Sequence, residues 1–345
     1  MKFLRKILFP FSILYGLITA IRNFLFDKGI LKSYSFDIPI IAVGNLSVGG
    51  TGKTPQIEYL IRLLSPNYKM ATLSRGYKRK SEGFVLANST STAEILGDEP
   101  FQIHQKFPEI KVAVDANRKN GIEQLLNLED KPDVILLDDA FQHRKVKAGF
   151  YILLTAYDDL FCDDYMLPTG NLRESRNGAN RADVIIVTKC PKDLSEIAQE
   201  NIRRKMRFFL RQNDNVERLF FSYIDYDDKV YNELESKNVE EIKQEAKLLL
   251  AGIAKPEPFF GYLQAEKDET LVYPDHHFFT EKDLIEIQNK ANNKLIITTE
   301  KDYVRLKNSN LKSLFYLPIK SSFVANSDNF DKNITNYVGT STRNR

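Results

Sequence analysis

Ile40-Ile41-Ala42-Val43-Gly44-Asn45-Leu46-Ser47-Val48-Gly49-Gly50-Thr51-Gly52-Lys53-Thr54 decides how this chain reads. An apolar β-type run empties into a glycine-dense turn, and Gln56 to Leu64 continues with helical periodicity. Strand, Gly-rich loop, Lys-Thr and helix is the context a phosphate-binding P-loop requires. The glycines let backbone N–H groups converge on phosphate oxygens where a Cβ would clash, and the helix N-terminus adds its positive end. Ser47, Val48, Gly49, Gly50, Thr51, Gly52, Lys53 and Thr54 are therefore assigned to a nucleoside triphosphate. Lys53 would reach the β/γ-phosphates and the Thr54 hydroxyl would ligate Mg²⁺. The strict pattern begins with Gly, and Ser47 stands in that place.

Further strands deliver their ends to the same side. Lys69 to Tyr77 reads as a strand and turn, and ligands of open α/β sheets gather at carboxyl ends of strands. Arg75 is thus a candidate phosphate or substrate contact, with an ordinary surface arginine as the alternative. Val134-Ile135-Leu136-Leu137-Asp138-Asp139 is a Walker B arrangement, a buried strand carrying an acid to the Mg²⁺ beside the loop. Gln142 and His143 follow directly and fall in the same crevice. Gly97-Asp98-Glu99-Pro100 opens a helical pattern. Two acids there could simply complement the helix dipole. In a phosphotransferase, one acid takes the proton of the attacking hydroxyl while its neighbour serves the metal. Leu167 to Ser175 is turn-rich and carries Arg173, whose fork suits a phosphate.

Composition bounds the rest. The chain has 345 residues, 43% apolar and 28% charged, enough for two domains with buried cores. A net charge of +3 gives no reason to invoke nucleic acid, and two cysteines give neither a disulfide framework nor a metal cluster. Ile7 to Ile21 is uncharged and mostly apolar, shorter than the roughly 20 residues of a comfortable span. Lys2, Arg5, Lys6, Arg22, Lys28 and Lys32 flank it, which suits a helix lying in a membrane interface; a core helix is the alternative.

The expected architecture is α/β. It comprises a membrane-associated N-terminal helix (1–30), a P-loop NTPase-type α/β/α sandwich (31–218), a two-stranded hairpin connector and linker (219–245), a smaller α/β domain (246–330), and a loosely ordered polar tail (331–345). Asp275-His276-His277 stands out in the second half. No other Cys or His accompanies the pair there, so zinc is not expected. His276 would instead orient a catalytic acid at a domain interface.

Partitioning ATPases carry a signature Lys just before the Gly-Gly-x-Gly-Lys-Thr loop, where this chain has Val48. GTPases need Asn-Lys-x-Asp, which Thr188-Lys189-Cys190-Pro191 lacks. A kinase remains. The Val43 to Pro55 loop resembles that of the tetraacyldisaccharide 4′-kinase family. So do Leu73-Ser74-Arg75-Gly76-Tyr77, Gly97-Asp98-Glu99-Pro100, Leu137 to His143, Leu167 to Glu174, Ala251-Gly252-Ile253-Ala254, Asp275-His276 and Thr299-Glu300-Lys301-Asp302. Ala140, Asn171 and Ser175 depart from the family pattern.

The resemblance implies transfer of the ATP γ-phosphate to the 4′-hydroxyl of a tetraacylated glucosamine disaccharide 1-phosphate, the lipid A precursor. It places a monomer peripherally on the cytoplasmic face of the inner membrane, with two α/β/α domains closing over the nucleotide. Asp98 would be the base, aided by His276; Thr54, Asp138 and Glu99 would hold Mg²⁺. Asp139 and His143 would support the phosphoryl group or substrate, Gln142 would share their crevice, and Arg173 would contact the anionic lipid. The alternative is a P-loop ATPase or kinase acting on a soluble partner.

Overall fold

A computed structural model describes residues 2–209, 217–275 and 277–343. Two N-terminal helices, α1 (Lys2–Ile7) and α2 (Phe9–Asp27), precede the first strand. The first eight strands are β1 (Ile40–Asn45), β2 (Met70–Ser74), β3 (Val85–Leu86), β4 (Lys111–Val114), β5 (Val134–Asp138), β6 (Phe150–Ala156), β7 (Val184–Thr188) and β8 (Leu219–Tyr226). A second group comprises β9 (Lys229–Tyr231), β10 (Ser236–Asn238), β11 (Lys247–Ala251), β12 (Glu269–Val272), β13 (Leu295–Thr299) and β14 (Leu314–Leu317), before β15 (Ile319–Phe323).

The larger sheet has nine strands in the order β15-β8-β7-β6-β1-β5-β2-β4-β3. Its interior is parallel, and β3 and β15 close the edges antiparallel. β1, β2, β5 and β7 are buried along their whole length because helices cover both faces, which explains near-continuous aliphatic runs in place of alternation. The parallel register sets Val43 opposite Asp138, so the loop after β1 and the acids after β5 emerge side by side. The second sheet runs β10-β9-β14-β13-β11-β12. The fold is thus an α/β/α P-loop sandwich with a smaller α/β domain.

Two expectations fail. The stretch 219–245 is not one two-stranded connector: β8 joins the large sheet and pairs antiparallel with β15, and the hairpin the stretch does hold, β9–β10, belongs to the second sheet through β14. The two linking strands are therefore β8 and β15, a hundred residues apart, a pairing no local pattern announces. The tail is not loose either. Ser327–Arg343 is a helix that buries Phe330, Ile334 and Val338 against the core around Ile57 and Leu60. Those three apolar residues repeat at the i, i+4, i+8 spacing of one helix face.

The core-helix reading of the N-terminus also loses. Only Ser12 and Phe26 of α2 are buried, while Phe11, Ile13, Leu14, Leu17, Ile18, Ile21 and Phe24 lie open. Its 19 residues are long and apolar enough, by length and composition, to cross a membrane.

Candidate active site

The loop after β1 leads into α3 (Lys53–Leu64). Gly52 caps that helix at φ 80°, and Gly49 stands at φ 118°, conformations that exclude a Cβ cheaply only in glycine. The loop is gripped from two sides. Thr188 Oγ1 donates to the Thr51 carbonyl at 2.8 Å and Lys189 Nζ donates to that of Gly50 at 2.7 Å. Opposite, Val48 N donates to the Asn171 carbonyl and Arg173 N to that of Leu46, both at 2.8 Å. The 166–174 segment thereby forms a short antiparallel bridge with the loop at Ser47 and Leu172.

Lys53 Nζ lies 3.5 Å from Asp139 Oδ1. Asp139 sits at φ 47°, just past β5, and takes both arms of Arg173, at 2.9 and 3.2 Å. Arg173 Nη2 also donates to the carbonyl and side-chain oxygens of Asn45. Burial alone would raise the Asp139 carboxyl; the Arg173 hydrogen bonds and the Lys53 charge overcome it and hold it at about 2. Arg173 therefore faces inward, its fork engaged by Asp139 and Asn45.

Asp138 is buried, and its Oδ1 has no hydrogen-bond partner among the described residues. Burial, then the neighbouring Glu99 charge, pushes its carboxyl up to about 7 against the pull of Lys53 and Arg118. A buried, unpartnered carboxylate oxygen beside a second acid fits a divalent cation, which would supply the missing positive charge. Among the described residues no group of three His, Cys, Asp or Glu side chains forms a protein-only metal cage. Mg²⁺ is commonly held by one or two carboxylates together with waters and substrate phosphates. The Thr51 hydroxyl is likewise buried and without a partner.

Asp98 and Glu99 start the helix Asp98–Lys106 behind Gly97, whose φ of 90° and tight approach to the Tyr77 carbonyl leave no room for a side chain. Asp98 is ion-paired to Arg305 from the smaller domain. Arg305 in turn lies 3.4 Å from the fully buried Asp302, whose other oxygen accepts from Gly252 N and Thr299 Oγ1. His276 lies outside the described residues. Its neighbour His277 is engaged locally with Asp283 at 3.0 Å.

Gln142 and His143 flank the Walker B acids, as expected, but in different company. Gln142 Nε2 donates to the Asn45 carbonyl and to Glu174. His143 is pushed down to about 4, by burial first and then by the charges of Arg118, Lys145, Arg22 and Arg75. It is a neutral imidazole near pH 7. Arg75 is exposed at the end of β2 and contributes to this cationic surround.

Several participants escaped the sequence reading. Arg118 is buried, and donates to the Asp115 and Asp138 carbonyls at 2.5 and 3.1 Å. Glu174 is buried and accepts from Arg181, Gln142 and Asn23. Glu58, Lys106 and Glu300 form a buried ionic bridge between α3, the Asp98 helix and the smaller domain. Only Glu174 had a local signal, as the residue after Arg173.

A cleft of about 410 Å³ opens from this centre, with Gly50, Gly52 and Thr54 at one end and Ile224, Tyr226 and Phe259 along its walls. A larger concavity, about 1140 Å³, lies between α1 and the 157–171 segment and is lined by no residue of the 47–54 loop and not by Glu99, whereas the smaller cleft is lined by Gly50, Gly52, Thr54 and Glu99. The smaller cleft adjoins the chemistry, so the site is assigned there.

Comparison with known proteins agrees with this geometry. Residues 4–339 match the family described as tetraacyldisaccharide-1-P 4′-kinase. The chain is 69% identical over its full length to the tetraacyldisaccharide 4′-kinase of Flavobacterium psychrophilum, covering 100% of both. It is 70% identical to that of Flavobacterium johnsoniae over 98% of each chain. The crystal structure of LpxK from Aquifex aeolicus in complex with ATP is similar at a TM-score of 0.76 and 30% identity, covering 97% of this chain and 99% of that one. Matched over nearly its whole length by the family and by full-length relatives at about 70% identity, the protein belongs to the tetraacyldisaccharide-1-P 4′-kinase family.

Proposed function

We propose that the residues around Lys53 carry out this family's reaction: ATP-dependent phosphorylation of the 4′-hydroxyl of tetraacyldisaccharide 1-phosphate, in lipid A biosynthesis. The observation that carries the assignment is the convergence of Lys53, Asp139 and the unpartnered Asp138 at the N-terminus of α3.

Backbone amides from Ser47 to Thr54 hold the triphosphate, its base end running into the apolar cleft past Tyr226. Lys53 exchanges its Asp139 contact for the β/γ-phosphate oxygens. Thr54, Asp138 and Glu99 would hold Mg²⁺, which supplies neutralisation of the phosphoryl oxygens when bound. Asp98 accepts the proton of the 4′-hydroxyl, and its ion pair with Arg305 of the smaller domain aims that carboxylate. His276, two residues beyond Pro274, is the residue to which the resemblance gives the role of aiding Asp98. Neutral His143 and Gln142 offer uncharged hydrogen bonds to the sugar, and Arg75 offers charge to the acceptor's phosphate. Because phosphoryl transfer rests on positioning and charge neutralisation, Lys53 matters more than any surface cation.

The open apolar face of α2, with Lys6, Arg22 and Lys28 near it, supports peripheral attachment to the cytoplasmic face of the inner membrane. The test is transfer of labelled γ-phosphate from ATP to tetraacyldisaccharide 1-phosphate in detergent micelles, wild type against Lys53→Ala. Labelled lipid that depends on Lys53 is expected. ATP hydrolysis without labelled lipid would refute the acceptor assignment.

A further inference from the structure

α2 is divided lengthwise. Ser12, Tyr15, Arg22 and Asn23 fall within an arc of roughly 100° at 3.6 residues per turn. The open apolar side chains from Ile13 to Phe24 occupy the remainder. Each of these four side chains is hydrogen-bonded to the catalytic half of the large domain, whereas Thr19 in the same arc donates to Gly16 of the helix itself. Ser12 Oγ donates to Thr169 Oγ1 at 2.7 Å and accepts from Thr169 N at 3.0 Å. Tyr15 Oη donates to the Arg173 carbonyl at 2.9 Å. Arg22 Nη2 donates to the Gln142 carbonyl at 2.8 Å, and Asn23 Nδ2 to Glu174 at 3.0 Å.

Three of the four partners, Thr169, Arg173 and Glu174, belong to the segment that grips the phosphate loop. The 166–174 segment lies between α2 and the loop: its outer side takes Ser12, Tyr15 and Asn23, and its inner side is bridged to Ser47 and Leu46. Arg173 leads from the backbone that Tyr15 holds to Asp139, the resting partner of Lys53. Glu174, which Asn23 holds, is buried and also fixes Gln142, whose amide reaches the same Asn45 carbonyl as Arg173. A helix needed solely for attachment has no use for two hydrogen bonds aimed at the backbone of Arg173 and the carboxylate of Glu174.

We propose that α2 is a positioning element of the phosphate site: Tyr15 and Asn23 act through Arg173 and Glu174 to set the P-loop and the Lys53–Asp139 pair. Seating α2 at a membrane surface then stabilises the arrangement that binds the triphosphate, linking attachment to competence for transfer. This rests on the assignment of the Lys53 loop to a triphosphate.

The test is the affinity of a non-hydrolysable ATP analogue in detergent micelles without any lipid acceptor, for full-length wild type, Tyr15→Phe, Asn23→Ala and the double variant. Each single variant is expected to weaken binding about three- to tenfold, the range for one lost hydrogen bond, and the double variant by close to the product. With lipid present, kcat is expected to fall while KM for the lipid stays within twofold. Tyr15→Phe removes a single hydroxyl and leaves the packing intact, so its result reads positioning and not folding. Wild-type affinity and kcat in both single variants, or losses confined to the lipid KM, would overturn the inference. Absence of analogue binding by the wild-type protein would instead overturn the assignment of the loop.

Discussion

Lys106 is the sharpest place to test how the two domains are joined. Its Nζ lies 2.8 Å from Glu58 of α3 and 2.8 Å from Glu300 of the smaller domain. Glu58 keeps Arg62 at 2.8 Å and Gln102 at 3.2 Å when Lys106 is removed. Glu300 loses the cation that opposes its burial. Burial, reinforced by the Glu58 charge, already pushes Glu300 from 4.5 to about 7, against the pull of Lys106. An acid whose folded pKa is raised holds its proton after the unfolded chain has lost it. Its contribution is full below 4.5 and is lost as pH rises through about 7. Above that, the wild-type curve of stability against pH flattens for this group.

In Lys106→Met the folded pKa of Glu300 moves higher, so stability keeps falling above pH 7 by about 1.4 kcal/mol per unit. The expected loss is about 1–3 kcal/mol near pH 6, from the Lys106–Glu58 contact. It grows by roughly 2–3 kcal/mol by pH 9. Lys106→Met with Glu300→Gln should remove the slope and keep the baseline loss. The assay is urea unfolding in detergent micelles followed by tyrosine fluorescence, which the chain's 16 tyrosines and lack of tryptophan permit. Parallel wild-type and Lys106→Met curves between pH 7 and 9 would refute the reasoning.

Three further outcomes follow from single sites. Asp98→Asn is expected to lower kcat by about 10²- to 10⁴-fold with ATP-analogue affinity unchanged, the signature of a lost base; near-normal turnover would remove Asp98 from that role. His143 is pushed down from 6.5 to about 4, so the unfolded chain takes up this proton first and stability is lost as pH falls from 6.5 towards 4. After discounting for partial exposure this is about 1–2 kcal/mol, and His143→Gln should flatten that acid limb in urea titrations. Gly44→Ala would bring a Cβ to 2.7 Å from Phe141 Cβ and 2.9 Å from its backbone N, so the expected loss is about 1–3 kcal/mol, seen as a lower urea midpoint.

The parts of the site fixed by short-range pattern were legible in the sequence. Strand-loop-helix around Lys53 and the aliphatic run into Asp138 each lie within one stretch, and parallel pairing of β1 with β5 brings them together almost automatically. What stayed hidden depends on distant partners. Arg173 read as a free fork because the sequence cannot show that Asp139 and Asn45 fill it. Glu58, Lys106 and Glu300 lie on three separate helices far apart in sequence, and only tertiary packing brings them together. β8 and β15 share no local signal at all. The tail helix could have been found, since Phe330, Ile334 and Val338 keep helical spacing through an otherwise polar stretch.

The resting arrangement at Lys53 explains why Arg173 faces inward. A lysine poised for phosphates needs a counter-charge beforehand, and Asp139 supplies it at 3.5 Å. That pair is partly exposed, with 19% and 39% of the two side chains open, so its exchange for phosphate oxygens costs little. Once Lys53 turns to the nucleotide, Asp139 would be a lone carboxylate facing the γ-phosphate. The bidentate Arg173 contact remains and keeps it neutralised and aimed. A lysine would lack the planar fork that grips both Asp139 oxygens while also reaching Asn45. Arg173 is thus tied to Lys53 through Asp139, whatever the occupant of the loop.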